Sequence, residues 1–424
     1  MAAPHISSYY AATINDDTQY PALEGTVSAD VCVVGGGFSG ISTALSLAER
    51  GYRVVVLEAQ RVGWGASGRN GGQVIAGISG EHRLEAQLGD AGRRLLRDIR
   101  YRGHDIIEER IARHGIQCDL KHGWMEVAAR SRHMAAMRAY VEARRADGDG
   151  AHLEIVEPGG MDRVIGSRLY HGAVIDRRSG HLHPLNLCLG EARAAAAIGV
   201  QIFEGSPVTA LGGGAKPFAK TARGRVTAAS IVIAGAMDRA VQMGPLRGLV
   251  FPTGSYIVAT EPLPEPVARE ISPQDLAVAD SNVVVDYFRL SADRRLLFGG
   301  RCNYSNRDPR DIRATLRPRM VKVFPQLKGI GLDYAWGGKI DIVLTRVPAI
   351  GRAETNVYYM QGYCGHGVNV THFAGEVVAD AIAGTMEKLD LFERIRHVRL
   401  PIGQFLGNQL LALGMLYYRL KDLL

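Results

Sequence analysis

Gly35, Gly37 and Gly40 stand in the order G-x-G-x-x-G, directly after the apolar run Val31 to Val34 and just before the small-residue stretch Ser39 to Glu49. Glycines at that spacing bring bare main chain up to a phosphate. Gly35 permits a tight turn, Gly37 lets backbone approach a pyrophosphate, and Gly40 lets a following helix sit close to a sheet. Phe38 and Ser39 open that helix, whose free N–H groups and dipole favour negative charge. Gly51 ends it, and Arg53 to Leu57 supplies a second strand. Glu58 lies roughly twenty residues past the glycines, where a carboxylate accepts hydrogen bonds from a ribose. A 2′-phosphate would be repelled there, which argues against NADP. A lone glycine triplet is an ordinary turn. Strand, turn, helix, strand and acid in this order argue for a dinucleotide, with NAD and FAD both open.

The next segment, Ala59 to Val74, reads AQRVGWGASGRNGGQV. Its glycines, Gly63, Gly65, Gly68, Gly71 and Gly72, are too dense for a stable helix. They suit a backbone pressed against a flat or charged ligand with its N–H groups exposed. A flexible linker would carry more Ser, Glu or Lys and would lack Trp64. Near the other end, Tyr358 to Asn369 reads YYMQGYCGHGVN, a strand, then a glycine-rich loop from Gly362 to Gly367, then helical spacing from Val370 to Ala383. His366 could donate to a ligand or be a loop histidine bonded to backbone. His181 and His183 lie near His171, yet no carboxylate or cysteine completes a metal set at familiar spacing. No metal is expected. G-x-S-x-G elbows and P-loop lysines are absent.

Long elements must position these segments. Glu81 to His114 reads as one helix, Gln117 to Val127 as strands around a turn at His122 and Gly123, and Ser131 to Ala146 as another helix. Val200 to Phe203, Pro207 to Leu211 and Arg225 to Ala234 read as strands, followed by Leu249 to Ala259, Val283 to Arg289 and Arg295 to Gly300.

With 424 residues the chain exceeds one ordinary core, so two domains are expected. Five cysteines without a C-x-x-C pair, and a start lacking a signal-peptide pattern, point to the reducing cytoplasm. No apolar run reaches the roughly 20 residues a bilayer requires. Membrane association is not expected beyond a peripheral one through Phe405 to Leu424, and packing on the protein suits that segment better. The net charge of +7 invites a nucleic-acid reading. Yet Arg93, Arg94, Arg97, Arg100 and Arg102 alternate with Asp98, Asp105, Glu108 and Glu109 as a solvated helix face does. Nucleic acid is therefore not an expected partner. Local carboxylates such as Asp286 or Glu261 would set the field for a cationic substrate. The oligomeric state is not legible.

Asp30 to Gln73 resembles the N-terminal part of the FAD-dependent amine and amino-acid oxidoreductases, the D-amino-acid oxidase and sarcosine oxidase superfamily. SSYYAATIND (Ser7 to Asp16), GWGASGRNGGQ, SGHLHPLNL (Ser179 to Leu187), FPQLKG (Phe324 to Gly329) and YYMQGYCGHGVN resemble in particular its members acting on γ-glutamylated polyamines. The resemblance implies an α/β, two-domain fold: a glutathione-reductase-like FAD-binding Rossmann domain of residues 1–85, 150–240 and 339–424. An antiparallel-sheet substrate domain would take residues 86–149 and 241–338. It implies non-covalent FAD held by Gly35, Gly37, Phe38, Ser39, Gly40, Glu58, Ala59 and Arg61. The holding set continues with Gly65, Ala66, Ser67, Arg69, Asn70, Gly71, Gly72 and Gln73. It ends with Val208 against adenine, Ala234, Gly235, and Gly362, Tyr363, Gly365, His366, Gly367 and Val368 along the flavin's pyrimidine edge. Cys364 is read as a small buried residue rather than a flavin tether. His366 and Lys339 are the candidate catalytic side chains, and Trp64, His181, Tyr256 and Arg289 the candidate substrate contacts.

One departure from the family bears on the substrate. WGGKIDIVLTRVPAIG (Trp336 to Gly351) resembles the W-A-G-x-R stretch of amino-acid oxidases, but Ile340 stands at the arginine position. That arginine forks onto the substrate carboxylate, which isoleucine cannot do. An amine whose carboxylate is distant, as in a γ-glutamyl amide, would not need it, and Arg289 or Arg301 would reach the distant group. The expected reaction is hydride loss from the carbon beside a neutral amine to flavin, then imine hydrolysis to an aldehyde. Oxygen, a quinone or another carrier would take the electrons. The alternative is a peripheral dehydrogenase of D-amino or N-methyl amino acids.

Overall fold

The computed structural model describes residues 3–235, 241, 243–303, 307–400, 407–410 and 412, without the side chains of Pro245, Arg301 and Cys302. Nine elements carry the argument: β1 (Val31–Val34), α1 (Phe38–Ala48), β2 (Val54–Leu57), α2 (Arg102–His114), α3 (Pro184–Ala197), β3 (Val250–Thr260), β4 (Leu332–Val343), β5 (Val357–Gln361) and α4 (Gly367–Ile382). The fold is mixed α/β, with three sheets.

A six-stranded sheet runs in the order Ala349–Glu354, β5, Ser230–Ile233, β1, β2, Gln201–Phe203. All neighbours are parallel except the first pair. Every residue of β1 and β2 is buried, as a parallel strand covered on both faces requires. α1, α3 and α4 pack around it, and their small residues allow close approach. On α4, a Cβ at Gly375 would sit 2.9 Å from the backbone nitrogen of Thr43. The largest hydrophobic core lies here, with Val33, Ile41, Leu45 and Phe373 essentially inaccessible.

The second large sheet is mostly antiparallel: β4, β3, Leu296–Asn303, Tyr287–Leu290, Ala277–Asp280, Lys121–Val127, Ala173–His181, then the short strand Gln73–Val74. That last strand matters most for position. Gln73 lies opposite His181, so the glycine-rich segment ends as part of this sheet. A third, four-stranded sheet holds Gly25–Ser28, Gly224–Thr227, Phe218–Lys220 and Ala210–Gly212.

Four expectations change. The single helix from Glu81 to His114 is three helices, Glu81–Leu88, Asp90–Ile99 and α2. Gly89, at φ 57 and ψ −131, makes the first break, a conformation that favours glycine. At the second, the Arg100 carbonyl is diverted to the N–H of Gly77 at 2.8 Å and to Asn369 Nδ2 at 3.2 Å. Arg100 also leaves the solvated face: it is 3% exposed, with Glu81 and Asp149 each 3.2 Å away. Lys121 to Val127 is one strand, its register shifting between His122 and Trp124 where Gly123 has φ 107. Arg225 to Ala234 is two strands, because the chain leaves the four-stranded sheet after Thr227 and enters the six-stranded one at Ser230. The segment Phe405 to Leu424 falls largely outside the described residues.

Candidate active site

The turn between β1 and α1 is built to present backbone. Gly35 has φ 115 and donates its N–H to Leu57 O at 2.9 Å, which fixes the turn to the end of β2. A Cβ on Gly35 would lie 3.0 Å from the Ala234 carbonyl carbon and 3.1 Å from Gly235 N, so that pair flanks the turn. Gly37 caps α1 with no side chain of its own. The Phe38 N–H donates to Ser67 Oγ at 2.9 Å, bringing the glycine-rich segment onto the same helix terminus. A Cβ at Gly40 would collide with the Gly35 carbonyl oxygen. Glu58 accepts from the N–H groups of Gly36 (2.6 Å) and Gln60 (2.8 Å), while burial raises its pKa above the usual carboxylate range. Ala59 beside it is exposed, and Val208 is buried in the core under the four-stranded sheet. Arg61 is held by Glu204, 3.1 Å away, and by the Thr18 carbonyl at 2.9 Å.

The glycine-rich segment folds on itself before it joins the second sheet. Past exposed Gly65, Ala66–Gly68 is a 3-10 turn. Asn70 closes it, donating to Ala66 O (3.1 Å) and Ser67 O (2.8 Å) and accepting from Gly72 N (2.7 Å). Arg69 lies over Trp64, 3.9 Å from ring centre to guanidinium carbon, and donates to the Trp64 carbonyl at 2.6 Å. Trp64 in turn donates to Pro4 O at 3.0 Å, and Gln73 accepts from Trp124 Nε1 at 3.0 Å. Arg289, 5% exposed, donates to Gly71 O (2.8 Å), Leu182 O (2.7 Å) and Leu290 O (3.0 Å) and to the Tyr10 hydroxyl (3.2 Å). It therefore pins the Gly71–Gly72 turn to the His181–Leu182 corner. His181 lies 2.9 Å from the Asp275 carbonyl, and burial together with Arg289 lowers its pKa to about 3, so the ring is neutral.

The loop from Gly362 to Gly367 packs along β4. Gly362 N donates to Asp341 Oδ2 at 3.0 Å and Cys364 N to Asp341 O at 3.0 Å. Gly362, Cys364 and Gly365 all have positive φ, near 80, 55 and 83. The Cys364 sulfur is buried, 3.4 Å from Val343 N and 3.2 Å from Gly362 O. Ile340 faces the same loop, its Cδ1 3.5 Å from where a Cβ of Gly365 would sit. The Tyr363 hydroxyl reaches across to Ser39 Oγ at 2.8 Å. His366, whose pKa burial lowers, places Nε2 3.0 Å from the Ala76 carbonyl. Gly367 and Val368 then start α4 beside the loop. Lys339 and Tyr256 share one acceptor, Asp308 Oδ1, at 2.7 and 2.8 Å. The side chain of Arg301 lies outside the description. Asp286 is bonded to Arg319 at 2.7 Å and Glu261 to Gly331 N at 3.0 Å.

Sequence reading missed Asp308, Asp341, and Asn369, whose amide bridges Gly77 O and Arg100 O while facing His104 Nδ1 at 3.0 Å. Only Asn369 carried a signal, as the last residue of the GYCGHGVN run.

The model of the family described as FAD dependent oxidoreductase matches residues 30–381. The chain belongs to this family. It is 41% identical over 420 residues to gamma-glutamylputrescine oxidoreductase of Escherichia coli, covering 99% of this chain and 98% of that protein. Solved structures share the fold: glycine oxidase from Bacillus cereus (TM-score 0.71, 19% identity, 88% of this chain and 99% of that one) and L-proline dehydrogenase from P. horikoshii (0.71, 19%, 89% and 98%). This FAD dependent oxidoreductase thus takes FAD as cofactor. The residues present fit it: a helix start whose Gly37 cap carries no side chain, a turn where a Cβ at Gly37 would lie 2.8 Å from Ser67 Oγ, and a second helix start behind a glycine loop. Among the described residues no helix is long and apolar enough to cross a membrane, and no group of three or more His, Cys, Asp or Glu could hold a metal ion.

Proposed function

We propose that this oxidoreductase oxidises the terminal amine of a γ-glutamylated polyamine such as γ-glutamylputrescine to an aldehyde, with oxygen as electron acceptor. The observation that carries the reading is Ile340 against the Gly365 loop, where an amino-acid oxidase would need a guanidinium. Two candidate cations are already engaged. Arg289 spends its protons on three backbone carbonyls and Tyr10, and Lys339 is paired with Asp308. A carboxylate on the reacting carbon would therefore meet an apolar side chain. A γ-glutamyl amide carries its carboxylate many bonds away. The relative from Escherichia coli bears that substrate in its name.

Bound FAD would supply the hydride acceptor. The protein's share is to orient and dry the amine. The start of α1 with Ser67 would hold the diphosphate, Glu58 the ribose, and the Gly362–Gly367 loop with the start of α4 the pyrimidine edge. Burial would lower the amine's pKa, freeing the lone pair whose push accompanies hydride loss. The resulting imine would be hydrolysed by water. We assign FAD binding to residues 1–85, 150–240 and 339–424, apart from the strands Leu153–Val156 and Ala173–His181, which join the sheet of Lys121–Val127, and substrate enclosure to 86–149 and 241–338.

An anaerobic flavin-bleaching screen of the holoenzyme tests this, using γ-glutamylputrescine, putrescine, spermidine, sarcosine and D-alanine. Rapid bleaching by the γ-glutamyl amine is the expected result. Bleaching by D-alanine with none by any γ-glutamyl amine overturns it. Hydrogen peroxide formed in air, stoichiometric with aldehyde, checks the acceptor.

A further inference from the structure

Beneath the two helices that begin at the FAD-facing turn and loop lies a charged group out of reach of solvent. Glu191 of α3 and His372 of α4 are 0% exposed and Arg110 of α2 is 4% exposed. Glu191 Oε1 accepts from Arg110 Nη1 at 2.9 Å, and Oε2 faces His372 Nε2 at 3.1 Å. Arg110 also donates to neutral oxygens: Ser42 Oγ (2.8 Å), Ser42 O (3.1 Å) and Ser46 Oγ (2.9 Å). The other imidazole nitrogen, Nδ1, faces Val368 O at 2.6 Å, with Thr371 Oγ1 at 3.4 Å. Both main partners of the ring, a carboxylate and a carbonyl, only accept. With Glu191 ionised against Arg110, a neutral imidazole, which owns one N–H, would set a lone pair against one of them. An imidazolium satisfies both.

We infer that His372 is held as a buried imidazolium, so that Arg110, Glu191 and His372 together carry one net positive charge beneath the FAD-facing ends of α1 and α4. The count is +1, −1 and +1. Burial pushes the Glu191 carboxyl up, but His372 and Arg110 outweigh that and hold it below the usual carboxylate range. Around the triad, burial raises the Cys118 and Cys188 thiols, which stay neutral. Other charges on and beside these helices pair at their rims, among them Arg102 with Glu376, Arg50 with Asp380, Arg113 with Glu49, Asp105 with Arg178 and Arg193 with Asp16. His372 packs on Phe38, the first residue of α1, with ring centres 5.2 Å apart, and its Nδ1 partner Val368 lies in the first turn of α4. A net buried charge is costly alone, and FAD provides the reason to keep it. Its diphosphate and its reduced isoalloxazine are both anionic, and a charge in a low-dielectric interior acts over a long range. His372 and Arg110 are positioning residues; they act through the helix ends.

The inference rests on the cofactor and not on the choice of amine, so its test needs no substrate. Imidazole ¹⁵N NMR of the apoprotein and holoprotein should show both His372 nitrogens protonated at neutral pH; a neutral tautomer overturns the inference. H372Q keeps a donor but removes the charge. The FAD dissociation constant should rise about tenfold, and the flavin midpoint potential should fall. H372Q/E191Q restores the net charge to +1, and both quantities should return toward wild type. If the double variant binds FAD as weakly as the single one, charge is not the operative property and the inference fails. Apoprotein melting curves verify folding, and the wild-type NMR decides the matter if a variant does not fold.

Discussion

The hydroxyls of Ser39 and Tyr363 meet at 2.8 Å, joining the first turn of α1 to the glycine loop that ends β5. These residues are more than three hundred positions apart in sequence, and they tie the β1–α1 turn directly to the Gly362–Gly367 loop. Burial raises the Tyr363 phenol's pKa well above its usual value, so the link is a neutral hydrogen bond. Tyr363→Phe should cost about 1 kcal/mol of apoprotein stability, read by denaturant unfolding. It should also weaken FAD binding several-fold, because the two walls lose their registration. Unchanged FAD affinity would mean that the walls are held in register by other contacts.

Arg289 gives a second separation of roles. If it clamps Gly71, Leu182 and Leu290, then Arg289→Lys should fail to rescue, because an ammonium cannot span carbonyls set around a planar fork. Each buried carbonyl left without a donor costs about 1–3 kcal/mol. Both Arg289→Lys and Arg289→Gln should therefore melt well below wild type without ligand, and purify with less flavin. A lysine variant with wild-type melting and flavin content, but a raised KM for the γ-glutamyl amine, would instead make Arg289 a substrate anchor.

Local order was readable; remote order was not. β1, the turn, α1 and β2 follow from a fully apolar run, glycine spacing and a helical small-residue stretch, all within thirty residues. The division of Arg225 to Ala234 between two sheets leaves no trace in the sequence, because both halves carry strand-forming residues and only their distant partners, Gly25–Ser28 and β1, differ. Lys339 and Tyr256 looked like independent candidates. Their common tie to Asp308 joins β4, β3 and a loop that no spacing rule connects. The break at Gly89 could have been weighed more heavily, since a glycine mid-helix is a recognised stop. The break at Arg100 could not, because it depends on Gly77 and Asn369 capturing a carbonyl.

The glycines of the first turn should not be equivalent. At Gly37 an added methyl would lie 2.8 Å from Ser67 Oγ, a hydroxyl that can rotate away at the cost of its bond to Phe38 N. At Gly40 the methyl would strike the backbone carbonyl of Gly35, which is fixed to β2 through its own N–H. Gly37→Ala should fold with weakened FAD binding, while Gly40→Ala should lose roughly 2–3 kcal/mol or more, as for other overpacked sites. Equal melting temperatures for the two apoproteins would contradict this ordering.

Stability should respond to pH in two opposed ways. His104, His181 and His183 are buried, and desolvation is the main cause that lowers them to about 4, 3 and 3 from 6.5. The unfolded chain then binds more protons than the folded one between pH 6.5 and the folded values, so stability falls as pH drops through that window. The slope approaches about 1.4 kcal/mol per pH unit for each histidine once the unfolded ring is fully protonated. Asp280 works the other way. Burial first, and Asp286 second, raise it from 3.8 to about 7, so the folded state holds the extra proton and stability falls as pH rises from 3.8 to 7. Asp280→Asn keeps an oxygen for the N–H groups of Asn282 and Asp286 and removes the charge, giving up the one bond that Oδ2 accepts from Asn282 Nδ2 at 2.7 Å. It should therefore raise stability by about 1–2 kcal/mol above pH 7 and give nothing below pH 4. Denaturant midpoints measured across this range provide the check, and a gain that persists undiminished in acid would show that Asp280 acts through packing and not through its charge.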